Sequence, residues 1–165
     1  MERRIRRFTL EDLEQVIKIA ELLPEWFDED ARVRAIPIDL KFQEVFVCED
    51  DDNSVDHALQ GFIALFIAEG RVNIGWMGVH PDYHRQGIGG NLIQAAEDYC
   101  QSIGVDELAT YTLGDRVEYP PYESTRAFYQ KHGFTIYQRS QTDNPGCPEE
   151  IKLKKRVNRP FLNKT

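Results

Sequence analysis

The sequence predicts an α/β fold of the α+β kind, in which helices flank one central, mixed and mostly antiparallel sheet. Three apolar segments in the first half of the chain are separated only by short polar turns, which is typical of antiparallel strands. Segments whose apolar residues have helical spacing are interspersed with the other strands. The 165 residues, 41% hydrophobic and 29% charged, fit a single domain spanning residues 1–165 with its own core.

The first part of the chain predicts one strand followed by two helices. Residues 5–9 have the pattern of a short strand, and Thr9 can cap the helix that follows. The apolar residues of this helix recur at helical spacing: Leu10, Leu13, Val16, Ile17 and Ala20. Pro24 ends it. A second short helix is expected over residues 29–36, because the residue before Pro37 disfavours helical backbone.

Three strands and a long helix are expected next. The strands cover residues 44–48, 61–68 and 72–79, with a polar hairpin loop at 50–56 and a tight turn at 69–70. A glycine-rich turn then opens a helix that extends to about residue 102, with Gly104 as its cap.

The last part predicts one more strand, one more helix and a final pair of strands. The expected elements are a strand at 108–113, a helix at 124–132 ended by Gly133, and strands at 134–139 and 151–157 joined by the loop 142–148. The complete predicted order is β-α-α-β-β-β-α-β-α-β-β.

Charge and composition exclude several functions. The formal net charge of −8 argues against nucleic acid as a main partner. No apolar run approaches the ~18 residues of a membrane span, and the basic first residues lack the apolar stretch of a secretory signal, so we expect a cytoplasmic protein without membrane contact. The three cysteines, Cys48, Cys100 and Cys147, are far apart, which predicts free thiols and no metal site.

The glycine turn is the segment that points most directly to a ligand. Gly87, Gly89 and Gly90 follow an apolar strand and open a helix, where free N–H groups and the helix dipole favour a phosphate. A P-loop would require Lys and Ser or Thr after the last glycine, but Asn91 and Leu92 follow Gly90. A dinucleotide fingerprint would require a further glycine at position 92.

Two motifs resemble the GNAT family of N-acetyltransferases. Residues 84–89 are similar to its signature: Gln or Arg, two residues, Gly, any residue, then Gly or Ala; His84 departs from it at the first position. Residues 79–83 resemble the Val-x-Pro-x-Tyr end of its central strand. Residues 125–134 resemble the helix in which a tyrosine, here Tyr129, precedes a Gly-Phe pair by four residues. The resemblance covers roughly residues 5–157.

The resemblance implies acetyl-CoA as co-substrate and names the residues that would bind it. The end of the central strand would pair with the pantetheine arm, and the backbone N–H groups of the turn would hold the pyrophosphate, with Arg85 adding charge. The residues expected to bind the co-substrate are Met77, Gly78, Val79, Arg85, Gln86, Gly87, Ile88, Gly89, Gly90, Asn91, Thr125 and Phe128.

The same resemblance implies a catalytic role for Tyr129. A phenol can protonate the coenzyme A thiolate as it departs; the alternative is a tyrosine that only fills the core. Related enzymes often carry a carboxylate on the central strand, where this chain has Asn73 and Gly75, so no general base is assigned. Glu118 and Glu123 are the first candidates, the alternative being solvated acids that favour the helix dipole.

Aromatic residues in loops are candidates for contacting the acetyl acceptor. Trp26, Phe27 and Tyr122 lie in poorly patterned segments, although they can also be ordinary packing. The predicted reaction is acetyl transfer to a primary amine by direct attack in a ternary complex, because no cysteine is placed for an acetyl-enzyme. The alternative is a catalytically inactive acyl-CoA-binding or sensor module. Dimers are frequent in the family, so a homodimer is a candidate assembly.

Overall fold

The computed structural model describes residues 2–51 and 58–158, and within them seven strands form one sheet. The strands are β1 Arg3–Arg7, β2 Glu44–Asp50, β3 Leu59–Ala68, β4 Arg71–Val79, β5 Glu107–Leu113, β6 Thr135–Gln141 and β7 Glu149–Arg156. Their order is β1-β2-β3-β4-β5-β7-β6. β4 pairs with β5 in parallel, whereas β1–β2, β2–β3, β5–β7 and β6–β7 are antiparallel.

Helices connect these strands in the order that the sequence predicts. They are α1 Leu13–Glu21, α2 Ile36–Asp39, α3 Ile88–Ile103 and α4 Pro120–Lys131. The predicted fold class, helices flanking a mixed and mostly antiparallel sheet, is confirmed. No helix in the described part of the chain combines the length and apolarity needed to cross a bilayer.

The chain divides into two compact units, and β3, β4 and α3 contribute residues to both. The first unit is Met1–Phe66 with Gly75–Ala96, and the second is Ile67–Ile74 with Glu97–Thr165. The core of the first unit is formed by apolar side chains of α1, the following loop, α2 and the strands. Its buried members are Val16, Ile19, Ala20, Leu23, Phe27, Ile36, Leu40, Val45, Val47, Leu59, Phe62 and Ala64.

An arginine on β1 ties two buried carboxylates together in the first unit. The Arg6 guanidinium donates to both Asp12 oxygens at 2.8 Å and to Glu49 at 2.9 and 3.0 Å. Burial raises the pKa of Asp12, but hydrogen bonds from Arg6 and the Thr9 backbone outweigh it and leave that pKa below its usual value. The Arg6 hydrogen bond likewise lowers the pKa of Glu49. Both carboxylates are therefore ionised and paired near neutral pH.

The prediction that the second helix stops before Pro37 is wrong. A π turn at Ala31–Ala35 leads directly into α2, which contains Pro37 in its first turn. The Ile36 N–H donates to the Ala31 carbonyl, five residues back. Because proline has no N–H and clashes with the carbonyl four residues before it, a widened turn allows the helix to continue where a regular one would break.

Other boundaries differ by a few residues. α4 begins at Pro120, four residues before the predicted start, because proline suits the first helical turn, where no N–H partner is needed. The turn between β3 and β4 is at the predicted Glu69 and Gly70, both with left-handed backbone. Of the predicted polar loop at 50–56, residues 52–56 lie outside the described residues.

Candidate functional site

The glycine turn, residues 84–91, connects β4 to α3 in the first unit. Two of its residues have left-handed backbone: Arg85 with φ 62° and Gly87 with φ 81°. A left-handed conformation costs a non-glycine residue about 1 kcal/mol or more, so the fold holds Arg85 in place against its own preference. Left-handed residues in a turn can direct neighbouring N–H groups toward one side, which creates an anion-binding concavity.

The start of α3 adds unpaired donors to this turn. The helix begins at Ile88, and the Asn91 N–H donates to the Gly87 carbonyl at 3.1 Å. The first N–H groups of a helix have no partner within it, and they carry the positive end of the helix dipole. Arg85 is exposed, so its cation is available beside the same donors.

His84, the residue that departs from the family signature, holds the turn against β4. Its Nε2 lies 2.7 Å from the Val79 carbonyl oxygen, which requires the N–H to be on that nitrogen. The carbonyl is one of the backbone groups predicted to pair with pantetheine, and it retains a second lone pair for a ligand. The neighbouring His80 N–H donates to the Gln60 carbonyl at 2.8 Å.

The central strand carries no carboxylate, since β4 reads Arg-Val-Asn-Ile-Gly-Trp-Met-Gly-Val. The Asn73 amide donates to the Ala68 and Arg71 carbonyls at 3.2 and 3.1 Å, so it stabilises the β3–β4 turn. Above Gly75 lies the side chain of Gln43, whose Oε1 would be 2.8 Å from a Cβ at position 75. That oxygen is buried and has no hydrogen-bond partner among the described residues.

Gln43 is thus a residue that the sequence analysis missed. Its Oε1 is a buried acceptor without a donor, an arrangement that proteins usually avoid unless a ligand or water supplies the missing hydrogen bond. The signal in the sequence was Gly75 itself, because glycine inside a strand often marks a place where another group approaches closely.

The two aromatic residues predicted to contact the acceptor in the first unit pack into its core. Phe27 is buried, and its ring centroid lies 6.2 Å from that of Phe62 and 6.1 Å from that of Trp76. Trp26 is half-buried and packs against the same core. Packing, the alternative in the sequence analysis, therefore accounts for Phe27, and contact with an acceptor stays a prediction for both.

Tyr129 is a buried residue of α4 in the second unit. Its ring makes edge contacts with Phe128 and Phe134, at centroid distances of 5.4 and 5.2 Å. Burial raises the pKa of the Tyr129 phenol, and a hydrogen bond with Thr110 on β5 offsets this only in part. The phenol is therefore protonated throughout the physiological pH range, as an acid must be before it donates.

The other residues predicted for the site, in α4 and in the segment before it, are more exposed than Tyr129. Glu118 and Glu123 are exposed, as expected for solvated acids, and the Tyr122 ring lies 5.6 Å from that of Tyr119. The Thr125 hydroxyl donates to the Pro121 carbonyl at 3.3 Å, and the Phe128 ring lies 4.5 Å from His132.

A buried carboxylate that the sequence analysis missed organises the loop before α4. Glu149, at the start of β7, accepts the Arg116 backbone N–H at 3.2 Å and forms ion pairs with the Arg116 and Arg139 side chains. Its side chain fills the space beside Gly114, where a Cβ would overlap it. Arg126 completes the cluster by donating to the carbonyls of Leu113 and Gly114 at 2.9 and 3.2 Å.

The cysteines offer no activated nucleophile. Cys48, Cys100 and Cys147 are free, and burial raises the pKa of Cys48 and of Cys100 to about 11. These thiols are thus protonated at neutral pH, whereas nucleophilic cysteines are thiolates. Across residues 2–51 and 58–158, no three His, Cys, Asp or Glu side chains are grouped as metal ligands.

The comparison with family models identifies the family. The model of the acetyltransferase (GNAT) domain matches residues 41–136, more than half of the chain, and the chain belongs to the GNAT acetyltransferase family.

Solved structures share the fold at low sequence identity. An acetyltransferase of the GNAT family from Desulfovibrio desulfuricans has a TM-score of 0.78 and 20% identity, covering 95% of this chain and all of its own. The ribosomal-protein-S18-alanine N-acetyltransferase of Escherichia coli has a TM-score of 0.68 and 15% identity, with 99% of both chains covered. A GNAT acetyltransferase from Elizabethkingia anophelis, with acetyl-CoA bound, has a TM-score of 0.68 and 16% identity, covering 94% of this chain and 98% of its own. Comparison with curated proteins gives no match.

Proposed function

We propose that the protein transfers an acetyl group from acetyl-CoA to a primary amine by direct attack in a ternary complex. The observation that carries this proposal is the left-handed backbone at Arg85 and Gly87, directly before α3. Within a chain of this family, that geometry supports a coenzyme A pyrophosphate at the glycine turn.

The phosphates of acetyl-CoA are negatively charged, and the chain has a formal net charge of −8. Binding of acetyl-CoA therefore requires a locally positive electrostatic potential. The backbone N–H groups of residues 85–90, the helix dipole of α3 and the Arg85 cation would supply that potential. Met77, Gly78 and Val79 would pair with the pantetheine arm through their backbone groups. Thr125 and Phe128 complete the proposed set of co-substrate contacts.

The proposed chemistry assigns an acid and leaves the base open. The neutral amine attacks the thioester carbonyl carbon, a C–N bond forms, and the C–S bond of the tetrahedral intermediate breaks. The departing thiolate takes the Tyr129 phenolic proton, and the phenolate regains a proton from solvent before the next turnover. The amine gives up one proton to solvent or to a carboxylate, for which Glu118 and Glu123 are the candidates. The raised pKa values of all three thiols support direct transfer over an acetyl-enzyme.

An acyl-CoA-binding or sensor module is the second candidate function. The observation that favours it is the carboxylate-free strand β4, on which related enzymes often carry a base. Such a module would bind acetyl-CoA with the same turn but would not release thiol.

An amine panel separates the two functions. Acetyl-CoA is incubated with the protein and with small amines, aminoglycosides, and peptides that offer a free N-terminus or lysine, and both free thiol and acetylated amine are quantified. Acetyl transfer predicts equal amounts of the two products for at least one amine. Binding of acetyl-CoA without thiol release on every amine would support the module and contradict the enzyme.

Replacing Gly87 with alanine is expected to raise the Kd for coenzyme A by about tenfold. A Cβ at position 87 meets nothing within 4 Å, so the change acts only through the left-handed backbone, which alanine disfavours by about 1 kcal/mol. The turn would relax and its N–H groups would diverge. Isothermal titration calorimetry measures the effect.

Gly104→Ala is the matched control for this variant. Gly104 has φ +73° and equally open surroundings, at the other end of α3. Both variants should lose similar thermal stability, but only Gly87→Ala should lose affinity for coenzyme A. Equal affinities in the two variants would contradict the proposed role of the turn.

A further inference from the structure

Arg3 on β1 reaches the glycine turn, which lies 83 positions later in the sequence. Its Nη1 donates to the Gln86 backbone carbonyl at 3.1 Å, and its Nη2 donates to the Gln86 side-chain oxygen. Arg3 lies outside residues 41–136, which the family model matches, so the family assignment gives it no role.

A buried amide anchors the other side of this guanidinium. The Arg3 Nε donates to Gln60 Oε1 at 3.1 Å, and Gln60 is 1% exposed. Gln60 Nε2 in turn donates to Asp50, which fixes the orientation of the amide. The guanidinium thus bridges a rigid core residue and the turn.

Arg3 forms no direct ion pair, unlike its neighbours on β1, and the carboxylate of Asp50 is linked to it only through the Gln60 amide. Arg4 and Arg6 pair with Glu49, and Arg7 pairs with Glu44. The hydrogen-bond partners of Arg3 are neutral amides and a backbone carbonyl, and no carboxylate in the described part of the chain lies within ion-pair distance of it. A cation held by neutral groups beside a row of N–H donors leaves a positive potential there.

The geometry of the peptide group links the Arg3–Gln86 contact to the proposed pyrophosphate site. The C=O and N–H of one trans peptide group point in opposite directions. Because Arg3 holds the Gln86 carbonyl, it also fixes the direction of the Gly87 N–H, which points away from Arg3. Gly87 is one of the two left-handed residues of the turn.

We propose that Arg3 is a positioning residue for the acyl-CoA donor: it orients the Gln86–Gly87 peptide so that the Gly87 N–H meets the pyrophosphate, and it adds positive charge beside the turn. This rests on the proposed function. A purely structural role, tying β1 to the turn, would affect stability but would not distinguish between donors with and without a pyrophosphate.

The test compares Arg3→Gln and Arg3→Lys with Arg7→Gln on two donors, acetyl-CoA and S-acetylpantetheine, which lacks the pyrophosphate. Arg7→Gln removes the same charge from the same strand, but its partner Glu44 is distant from the turn in sequence and both side chains are largely exposed. Arg3→Gln should raise the KM for acetyl-CoA about tenfold with little change in kcat, and Arg3→Lys should recover part of the loss. Neither should change the kinetics with S-acetylpantetheine, and Arg7→Gln should resemble wild type.

Equal losses on both donors, or equal losses in Arg3→Gln and Arg7→Gln, would overturn the proposal. Amide hydrogen exchange on the free proteins tests the orienting step without any ligand: exchange of the Asn91 N–H, which donates to the Gly87 carbonyl, should be about tenfold faster in Arg3→Gln than in Arg7→Gln. Unchanged exchange would overturn that step. A wild-type protein that binds no coenzyme A would overturn the proposed function and the donor role of Arg3 together, while the exchange experiment would still decide whether Arg3 orders the turn.

Discussion

Replacing Tyr129 with phenylalanine is expected to lower kcat by about a hundredfold or more, with little change in the Kd for acetyl-CoA. The phenol is the acid proposed for the departing thiolate, and a positioned acid typically contributes about 10²- to 10⁴-fold to the rate. The substitution keeps the ring and its contacts with Phe128 and Phe134 but removes the hydroxyl. Steady-state thiol release on the best amine of the panel, together with a binding titration, measures both quantities.

Tyr137→Phe serves as the control for this variant. Tyr137 lies on β6, and its ring, which the substitution retains, faces the cations of Arg71 and Lys154. This variant should keep wild-type turnover. Tyr129→Phe should also lose about 1 kcal/mol of stability, since its hydrogen bond with Thr110 is gone, so assays are run well below its Tm. Wild-type kcat in folded Tyr129→Phe would contradict the assignment of Tyr129 as the acid.

Replacing Arg6 with alanine is expected to lower the free energy of unfolding by about 3 kcal/mol. The side chains of Asp12 and Glu49 are 7% and 2% exposed, and Arg6 donates to both. Removing the shared cation leaves the buried Asp12 carboxylate without its ion-pair partner and Glu49 with Arg4 alone, which is costly because burial penalises unpaired charge. Urea denaturation followed by circular dichroism gives the free energy of unfolding.

Arg7→Ala, from the next position of β1, is the matched control. Its partner Glu44 is 42% exposed, and exposed ion pairs contribute at most about 1 kcal/mol. The account would be contradicted if the two variants lost equal stability.

The cluster of Arg6, Asp12 and Glu49 also predicts how the stability of the protein depends on pH. Because the folded pKa values of Asp12 and Glu49 lie below their ordinary values of 3.8 and 4.5, the unfolded chain binds protons first as the pH falls. The two carboxylates therefore contribute to the free energy of unfolding at pH values above their ordinary pKa values. This contribution is lost as the pH falls through their lowered pKa values in the folded state. In Arg6→Ala both carboxylates lose the Arg6 hydrogen bonds that lower their pKa, and only Glu49 keeps a second one, from Arg4, so the stability difference between wild type and variant should shrink toward low pH.

The fold could be predicted largely because its main signals are local. Strands β3 and β4 are apolar runs separated by the turn at Glu69 and Gly70, and α3 is an amphipathic segment bounded by glycines. The helix through Pro37 could not be predicted, because the π turn that accommodates proline depends on backbone geometry that no residue pattern specifies.

The candidate site was predictable only in part. The glycine turn is visible as residues 84–91 because neighbouring residues build it, and Tyr129 was found through a family resemblance. Arg3, Gln43 and Glu149 were missed because their partners are distant in sequence, so no spacing connects them. Gly75 and Gly114 gave the only local signals, since each makes room for one of these side chains.

The structure of the protein with bound coenzyme A is the most direct test of the central claim, that the glycine turn holds the coenzyme A pyrophosphate. The account predicts pyrophosphate oxygens about 3 Å from the backbone nitrogen of Gly87 and from those at the start of α3, with the Arg3–Gln86 contacts retained. A pyrophosphate bound elsewhere on the protein, with no contact to residues 84–91, would contradict it.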